Sequence, residues 1–307
     1  MNAGKTTIKA FLTFGSGGGI PTYMPEGSHR FAVGSIQCTV LTDGYVAHPA
    51  PWVFPNANPD ELARALERRR MPQGAVIGPY TCLLIESGRH AVLVDAGAGG
   101  GSSSGAIRAR LEMCGLRPRD VDTVVLTHCH PDHVGGAVKA CGRPAFPEAR
   151  YVLAEAEAEF WNAPRRKLDG MQVPDEVKQT IDRTARECLA ALRFQLEPID
   201  RECEIARGVR AIPAPGHTPG HLALLIESEG QRLLNIGDAA VHPLHLEQPD
   251  WHNGFDLAPE AALRTRRELM QRAVSERMHV MAFHFPFPSV GRVEARAEGG
   301  WNWTPGW

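Results

Sequence analysis

No apolar run in this 307-residue chain approaches the roughly 20 residues that a membrane-spanning helix needs. Positive charge is not in excess either. Lys and Arg number 33 against 35 Asp and Glu, giving a formal net charge of −2, so there is no basic footprint for nucleic acid. A disulfide framework is missing as well. The seven cysteines (38, 82, 114, 129, 141, 188 and 203) are odd in number, scattered, and form no Cys-x-x-Cys pair, which is the pattern of unpaired thiols in a reducing compartment. Near the start, Lys5 and Lys9 accompany only Ala10-Phe11-Leu12-Thr13-Phe14 before a Gly-Ser-Gly-Gly-Gly tract, an apolar stretch too short for a secretory leader. These absences predict a cytoplasmic protein whose partner is a small-molecule substrate, with neither nucleic acid nor membrane involved. Residues 1–30 read as a flexible N-terminal extension to one large domain, 31–307.

The chemistry-bearing residues are concentrated at Thr127-His128-Cys129-His130-Pro131-Asp132-His133-Val134-Gly135-Gly136. This stretch follows the β-branched run Val121-Asp122-Thr123-Val124-Val125-Leu126, which reads as a short buried strand. The polar residues therefore stand at a strand's C-terminal end, where α/β folds place their sites. In extended chain His128 and His130 point the same way, and Cys129 points away. Pro131 and Asp132 suit the first turn of a following helix, because proline needs no helical N–H there and a carboxylate favours the dipole. Three imidazoles and a carboxylate within six residues are hard to explain as packing. They suit zinc, manganese, cobalt or iron.

The stretch resembles the His-x-His-x-Asp-His motif of the metallo-β-lactamase superfamily. What the resemblance implies is an α+β fold, a four-layer αββα sandwich with metals between the two sheets, over nearly all of the chain from about residue 31. It also implies further ligands downstream: His217 in Pro215-Gly216-His217-Thr218-Pro219-Gly220-His221, Asp238 in Asn235-Ile236-Gly237-Asp238-Ala239, and His284 in Ala282-Phe283-His284-Phe285-Pro286. In that family arrangement His128, His130 and His217 hold one divalent ion, and Asp132, His133 and His284 hold a second. Asp238 bridges the two, and zinc is the favoured metal. Asp95-Ala96-Gly97 is similar to the family's Asp-x-Gly element, so Asp95 is expected to support the metal loop by hydrogen bonding. His221, four residues after His217, is expected to do the same. Asp132, between the two sites, takes the role of proton shuttle as well as ligand.

The implied activity is hydrolysis of a lactone, ester or phosphotriester by hydroxide held between the ions. Within the superfamily, Pro-Asp-His-Val-Gly-Gly, Phe160-Trp161 and the run from His284 to Gly291 look most like the methyl parathion hydrolase and acyl-homoserine lactonase branch, whose members often form homodimers. Arg292 stands where a His is common in that branch, and Cys129 replaces the more usual Met or Thr. Those two departures bear on substrate. Trp161 is assigned either to the wall of the substrate pocket or to the core. A glyoxalase II-type thioesterase and a mononuclear iron dioxygenase share the motif and stay open as alternatives, as does a non-catalytic metal-binding sensor module on the same fold.

Two competing signals are set aside. Gly4-Lys5-Thr6 lacks the earlier glycine of a P-loop. Gly97-Ala98-Gly99-Gly100-Gly101-Ser102 follows a strand as a dinucleotide-binding turn would, but Ser102 stands where the third Gly or Ala is needed. Elsewhere the pattern predicts helices over Asp60–Arg70, Ala106–Cys114, Ala154–Asn162 and Asp175–Leu192, and an amphipathic one over Pro259–Ser275. Strands are expected at Phe31–Gly34, at Cys38–Leu41 (with a turn at Thr42-Asp43-Gly44), at Tyr80–Glu86 pairing with Ala91–Asp95, at Ile205–Ala214, at Leu222–Glu227 pairing with Arg232–Ile236, and at Met278–Phe283. The three tryptophans of the tail are expected to pack on the domain or on a second subunit.

Overall fold

The structure is a computed structural model that describes residues 27–72, 74–101 and 103–307. Gly4-Lys5-Thr6 and nearly all of the expected extension lie outside the described residues. Two seven-stranded sheets form the centre. The first runs, in spatial as in chain order, through β1 (Ser28–Val33), β2 (Ile36–Pro49), β3 (Ala75–Ser87), β4 (His90–Val94), β5 (Thr123–Val125), β6 (Arg150–Ala154) and β7 (Leu196–Ile199). The second, again neighbour by neighbour, is β8 (Cys203–Ala206), β9 (Val209–Pro213), β10 (Leu222–Ser228), β11 (Gln231–Asn235), β12 (His279–Met281), β13 (Val290–Ala295) and β14 (Trp301–Pro305). β4 to β7 pair in parallel, as do β11 and β12; the other pairs are antiparallel. The helices are α1 (Ala50–Val53), α2 (Pro59–Arg68), α3 (Ile107–Met113), α4 (Pro131–Val134), α5 (Glu155–Asn162), α6 (Asp175–Leu192), α7 (Leu244–Glu247) and α8 (Pro259–Ser275).

Side-chain alternation along the strands explains the layering. Leu83, Ile85, Val92, Val94 and Val125 turn inward to meet Leu222, Leu224, Ile226, Leu233 and Met281 of the other sheet. Their neighbours Leu84, Leu93 and Val124 face outward, under α3, α5 and α6. On the far side Ala223, Leu225, Leu234 and Val280 pack beneath Leu269, Met270 and Ala273 of α8. Strands buried on both faces read as nearly continuous apolar runs, and those of this chain do. The result is the αββα sandwich of the metallo-β-lactamase fold.

Three local departures from the sequence expectation have physical causes. Thr42-Asp43-Gly44 is a bulge inside β2, which runs on to Pro49. Asp43 is held there because its carboxylate accepts the N–H groups of Ala98 and Ile107 at 2.9 and 3.0 Å. Gly44 has φ +155°, and a Cβ on it would fall 1.8 Å from the Ser103 carbonyl oxygen, so only glycine fits. Second, Ile205–Ala214 is a hairpin of β8 and β9 folded at Gly208, in place of one strand. Third, the tryptophan-rich tail supplies the edge strand β14, with Trp301 buried against the outer layer of the second sheet. No helix among the described residues is long and apolar enough to cross a membrane.

Candidate metal centre

β5 ends at Val125, and the chain leaves it as Leu126-Thr127-His128 before turning into α4 at Pro131. Two anchors fix this exit. Asp95, at the end of β4 and with φ +60°, accepts the Thr127 N–H through Oδ1 at 2.8 Å and lies 2.8 Å from His133 Nδ1 through Oδ2. Glu157 at the start of α5, fully buried, accepts the Cys129 N–H at 2.9 Å. Burial pushes its carboxyl up, against hydrogen bonds from Thr218, Trp161, Cys129 and Gly220 that hold it down. The glycine-rich loop after β4 braces the same motif: Ala96 N–H donates to His133 O, and Gly136 N–H to Gly97 O, each at 2.8 Å.

Turns at the matching edge of the second sheet bring in the rest: His217 after β9, Asp238 after β11 and His284 after β12. All seven residues converge. Potential ligand atoms of His128, His130 and His217 lie within 4.8 Å of one another, as do those of Asp132, His133 and His284, and those of His128, His133 and Asp238. Asp238 sits between the groups, with Oδ1 3.4 Å from His133 Nε2 and Oδ2 3.5 Å from His217 Nε2 and 3.3 Å from His284 Nε2. Asp132 Oδ2 lies 3.3 Å from His284 Nε2 and 3.7 Å from His133 Nε2.

The electrostatics divide the cluster in two. Burial, reinforced by the neighbouring imidazoles, holds His128 and His130 well below the usual histidine range, so they are neutral. Burial pushes His133 and His284 the same way, but the carboxylates of Asp238 and Asp132 outweigh it, joined at His133 by Asp95. His133 stands well above its ordinary value, and His284 rises to about 9. Burial likewise works to raise Asp132 and Asp238, and the facing imidazoles overcome it and hold both carboxyls down. Nε2 of His128 and of His130 and Oδ1 of Asp238 are buried with no hydrogen-bond partner among the described residues. Buried carboxylates and neutral imidazoles with bare nitrogens, packed this closely, are what divalent cations coordinate and are costly otherwise. The residues present fit metal ions.

Behind the cluster, His221 Nδ1 lies 3.1 Å from the Ala214 carbonyl, and its Nε2 accepts the Asp238 N–H at 3.0 Å, which fixes the loop that carries Asp238. Asp256, which no spacing in the sequence marks, lies 2.8 Å from His217 Nδ1 through Oδ1 and is itself 1% exposed. Trp161 corrects the sequence expectation of a pocket wall. It is fully buried, stands edge-on to His130 and donates Nε1–H to Glu157 at 2.7 Å, so it underpins the motif from within the core and never meets the cleft. His48 corrects it in the opposite direction. Nothing about it stands out in the sequence, yet the continuation of β2 carries it to the cleft, where burial pushes its imidazole down to about 4.

That cleft is lined by Val46, Val53, Val76, Val241 and Phe255 together with Asp132, Asp238 and His284. Its apolar walls beside a polar cluster suit a small molecule. Ser103, at the centre of a Gly-x-Ser-x-Gly spelling, is no exposed nucleophile, since its Oγ bonds the Tyr45 carbonyl in a loop.

The family pattern described as Metallo-beta-lactamase superfamily matches residues 76–274. An N-acyl homoserine lactonase of Bacillus cereus is 27% identical over 230 residues, 67% of this chain and 81% of that protein. One from Bacillus sp is 30% identical over 177 residues, and the match spans 57% of this chain but only 60% of that relative's length. Among solved structures, the dizinc quorum-quenching lactonase AidC superposes with a TM-score of 0.85 at 24% identity, covering 92% of this chain and 98% of that one. Hydrolase AbOPH, described as in the beta lactamase superfamily, does so at 0.83 and 26%, covering 92% and 99%.

Proposed function

The chain belongs to the metallo-β-lactamase superfamily, and on that premise we propose that it is a dinuclear metallohydrolase that opens lactones, with esters and phosphotriesters as further substrates of the same site. His128, His130 and His217 would hold one ion and Asp132, His133 and His284 the other, with the Asp238 carboxylate lying between the two groups. Zinc suits the mixture of imidazole and carboxylate. The observation that carries the reading is Asp238, whose Oδ2 lies 3.5 Å from His217 Nε2 of one triad and 3.3 Å from His284 Nε2 of the other. Names of relatives support the lactone preference: the curated matches over 57% and 67% of the chain are N-acyl homoserine lactonases.

When bound, two divalent ions lower the pKa of water towards neutrality and polarise the oxygen of a carbonyl or phosphoryl group. The chain's residues do the rest. Asp132 keeps part of its side chain, 20%, open to the cleft while Asp238 is nearly closed off at 5%. That exposure supports a role for Asp132 Oδ2 in taking a proton from water and returning it to the leaving oxygen. Asp95 and Asp256 hold the imidazoles of His133 and His217 in one orientation, and the apolar walls keep bulk water from the reacting group.

The test is metal analysis of protein prepared without chelators, combined with turnover of lactones, aryl esters, phosphotriesters, thioesters and β-lactams. About two ions per chain with lactone opening is the expected result. Preferential thioester turnover would reassign the enzyme to thioester hydrolysis, and metal without turnover of any of these substrates would make it a binding module.

A further inference from the structure

α8 carries a charge into the interior. Arg266, on the face of the helix turned towards the sheet, is 1% exposed. Burial pushes its guanidinium down to about 10, with the Asp256 carboxylate opposing the shift, so the group is still a cation at neutral pH. A buried cation is costly unless hydrogen bonds make up for the lost water. Its acceptors are two backbone carbonyls: Nε donates to Ala239 O and Nη1 to Trp251 O, each at 2.8 Å. Both acceptors belong to segments of the metal centre. Ala239 directly follows Asp238, the carboxylate between the two ligand groups, and Trp251 stands at the head of the loop that brings Asp256 to His217 Nδ1.

The helix is itself seated on the His217 turn. Leu257 N–H donates to the His217 carbonyl and Ala258 N–H to the Gly216 carbonyl, both at 2.9 Å. Thr265 Oγ1 donates to the Pro215 carbonyl at 2.6 Å. A Cβ on Gly216, where φ is +138°, would fall 2.3 Å from Ala262 N of α8, so the turn meets the helix with no room for a side chain. α8 therefore grips the His217 turn at its start, and Arg266, one helical turn beyond Ala262, grips the loop of Asp238. Those two ligand residues face each other, with Asp238 Oδ2 3.5 Å from His217 Nε2. A guanidinium is planar and rigid, with its N–H groups at fixed angles, so the two carbonyls it bonds are held at one separation.

We propose that Arg266 is a positioning residue of the metal centre: by bridging the Ala239 and Trp251 carbonyls it fixes Asp238 against His217 at the separation that ion binding needs. It touches neither an ion nor a substrate. The inference rests on the dinuclear reading above and is independent of which substrate the site opens. The fork is what matters, because a lysine ammonium brings the same charge on a flexible stem with no fixed angle between two distant acceptors. A purely structural contribution would instead act on stability alone, and any core residue of the same helix would match it.

Three variants separate these roles: Arg266→Lys, Arg266→Met and Leu269→Ala. Leu269 packs in the apolar layer between α8 and the second sheet, and its truncation leaves a cavity there. Zinc affinity is read by chelator competition on the folded proteins. The expected result is a loss of about 10- to 100-fold for one ion in both Arg266 variants, the size typical of groups that orient metal ligands, with wild-type affinity in Leu269→Ala. The visible bands of the cobalt-loaded protein, which report ligand geometry, should shift in the Arg266 variants alone. If Arg266→Met misfolds, Arg266→Lys carries the comparison. Wild-type affinity in Arg266→Lys, or an equal loss in Leu269→Ala, overturns the proposal and leaves the dinuclear reading untouched. A wild type that binds no zinc overturns both together. The expected losses in a protein that opens no lactone would remove the lactonase reading and keep Arg266 in its role.

Discussion

Glu157 accepts the backbone N–H of Cys129 at 2.9 Å through one oxygen, while the other takes the N–H of Gly220 at 3.0 Å. One buried carboxylate therefore ties the loop of His128 and His130 to the loop of His217, two segments from different sheets. Thr218 Oγ1 and Trp161 Nε1 complete its shell at 2.6 and 2.7 Å. Glu157→Gln turns part of that acceptor surface into a donor facing donors. The expected loss is about 2–4 kcal/mol of stability, from N–H groups left unmet in the interior. Denaturant unfolding of the metal-loaded protein measures it, and a loss below ~0.5 kcal/mol would show that the tie is unimportant.

Asp256→Ala removes the carboxylate beside His217 Nδ1. Groups that orient a metal-bound histidine typically contribute 10- to 100-fold in affinity. Chelator competition should show a drop of about that size for one of two ions, with the second retained more tightly. Unchanged affinity at both would mean that His217 is not a ligand.

The proton-shuttle role of Asp132 is open to a direct experiment. Asp132→Asn retains a ligand oxygen and loses the base, so kcat should fall by about 10²-fold or more, as general-base deletions do. The metal content of the variant must be measured alongside. Both ions kept together with full turnover would remove the role.

Acid stability supplies an independent check on the interior. His242 is buried against Phe54, and burial, with Arg69 adding to it, pushes its imidazole down to about 3. Burial pushes His245 down as well. A folded-state value below the unfolded one means that the unfolded chain binds more protons. The stabilising contribution of His242 is therefore complete above the unfolded value of about 6.5 and is lost as pH falls from there towards 3, and that of His245 is lost in the same direction. Metal-free protein should lose up to about 1.4 kcal/mol per pH unit for each such group across that window. Replacing His242 with Asn should flatten the profile in urea titrations between pH 6.5 and 4. An identical slope would show that His242 titrates normally in the fold.

Much of the site was legible because its densest part is local. His128, His130, Asp132 and His133 fall on one strand exit and one helical turn, where spacing alone sets direction. Asp95 was readable only through the likeness of Asp95-Ala96-Gly97 to the family's Asp-x-Gly element. Asp256, Arg266, Glu157 and His48 were not, because each reaches the site through a tertiary return, and no periodicity links position 48 or 256 to position 217. Trp161 misled in the opposite way: an aromatic on the helix after β6 need not face the cleft, and Glu157 draws this one into the core. The β2 bulge was read as a turn because Asp-Gly is a turn dipeptide. What Asp43 does instead is cap a distant loop and the start of α3.

The seven converging side chains are divided between the sheets, four on the exit of β5 and three on turns of the second sheet. Neither half of the chain owns a complete cage. A break in the connection at Asp200-Arg201, between β7 and β8, would yield two fragments that each lack the partner needed to chelate. Cation loading should then act as the glue for their reassembly, and the ion would report on docking of the sheets as a fastener reports on a closed seam.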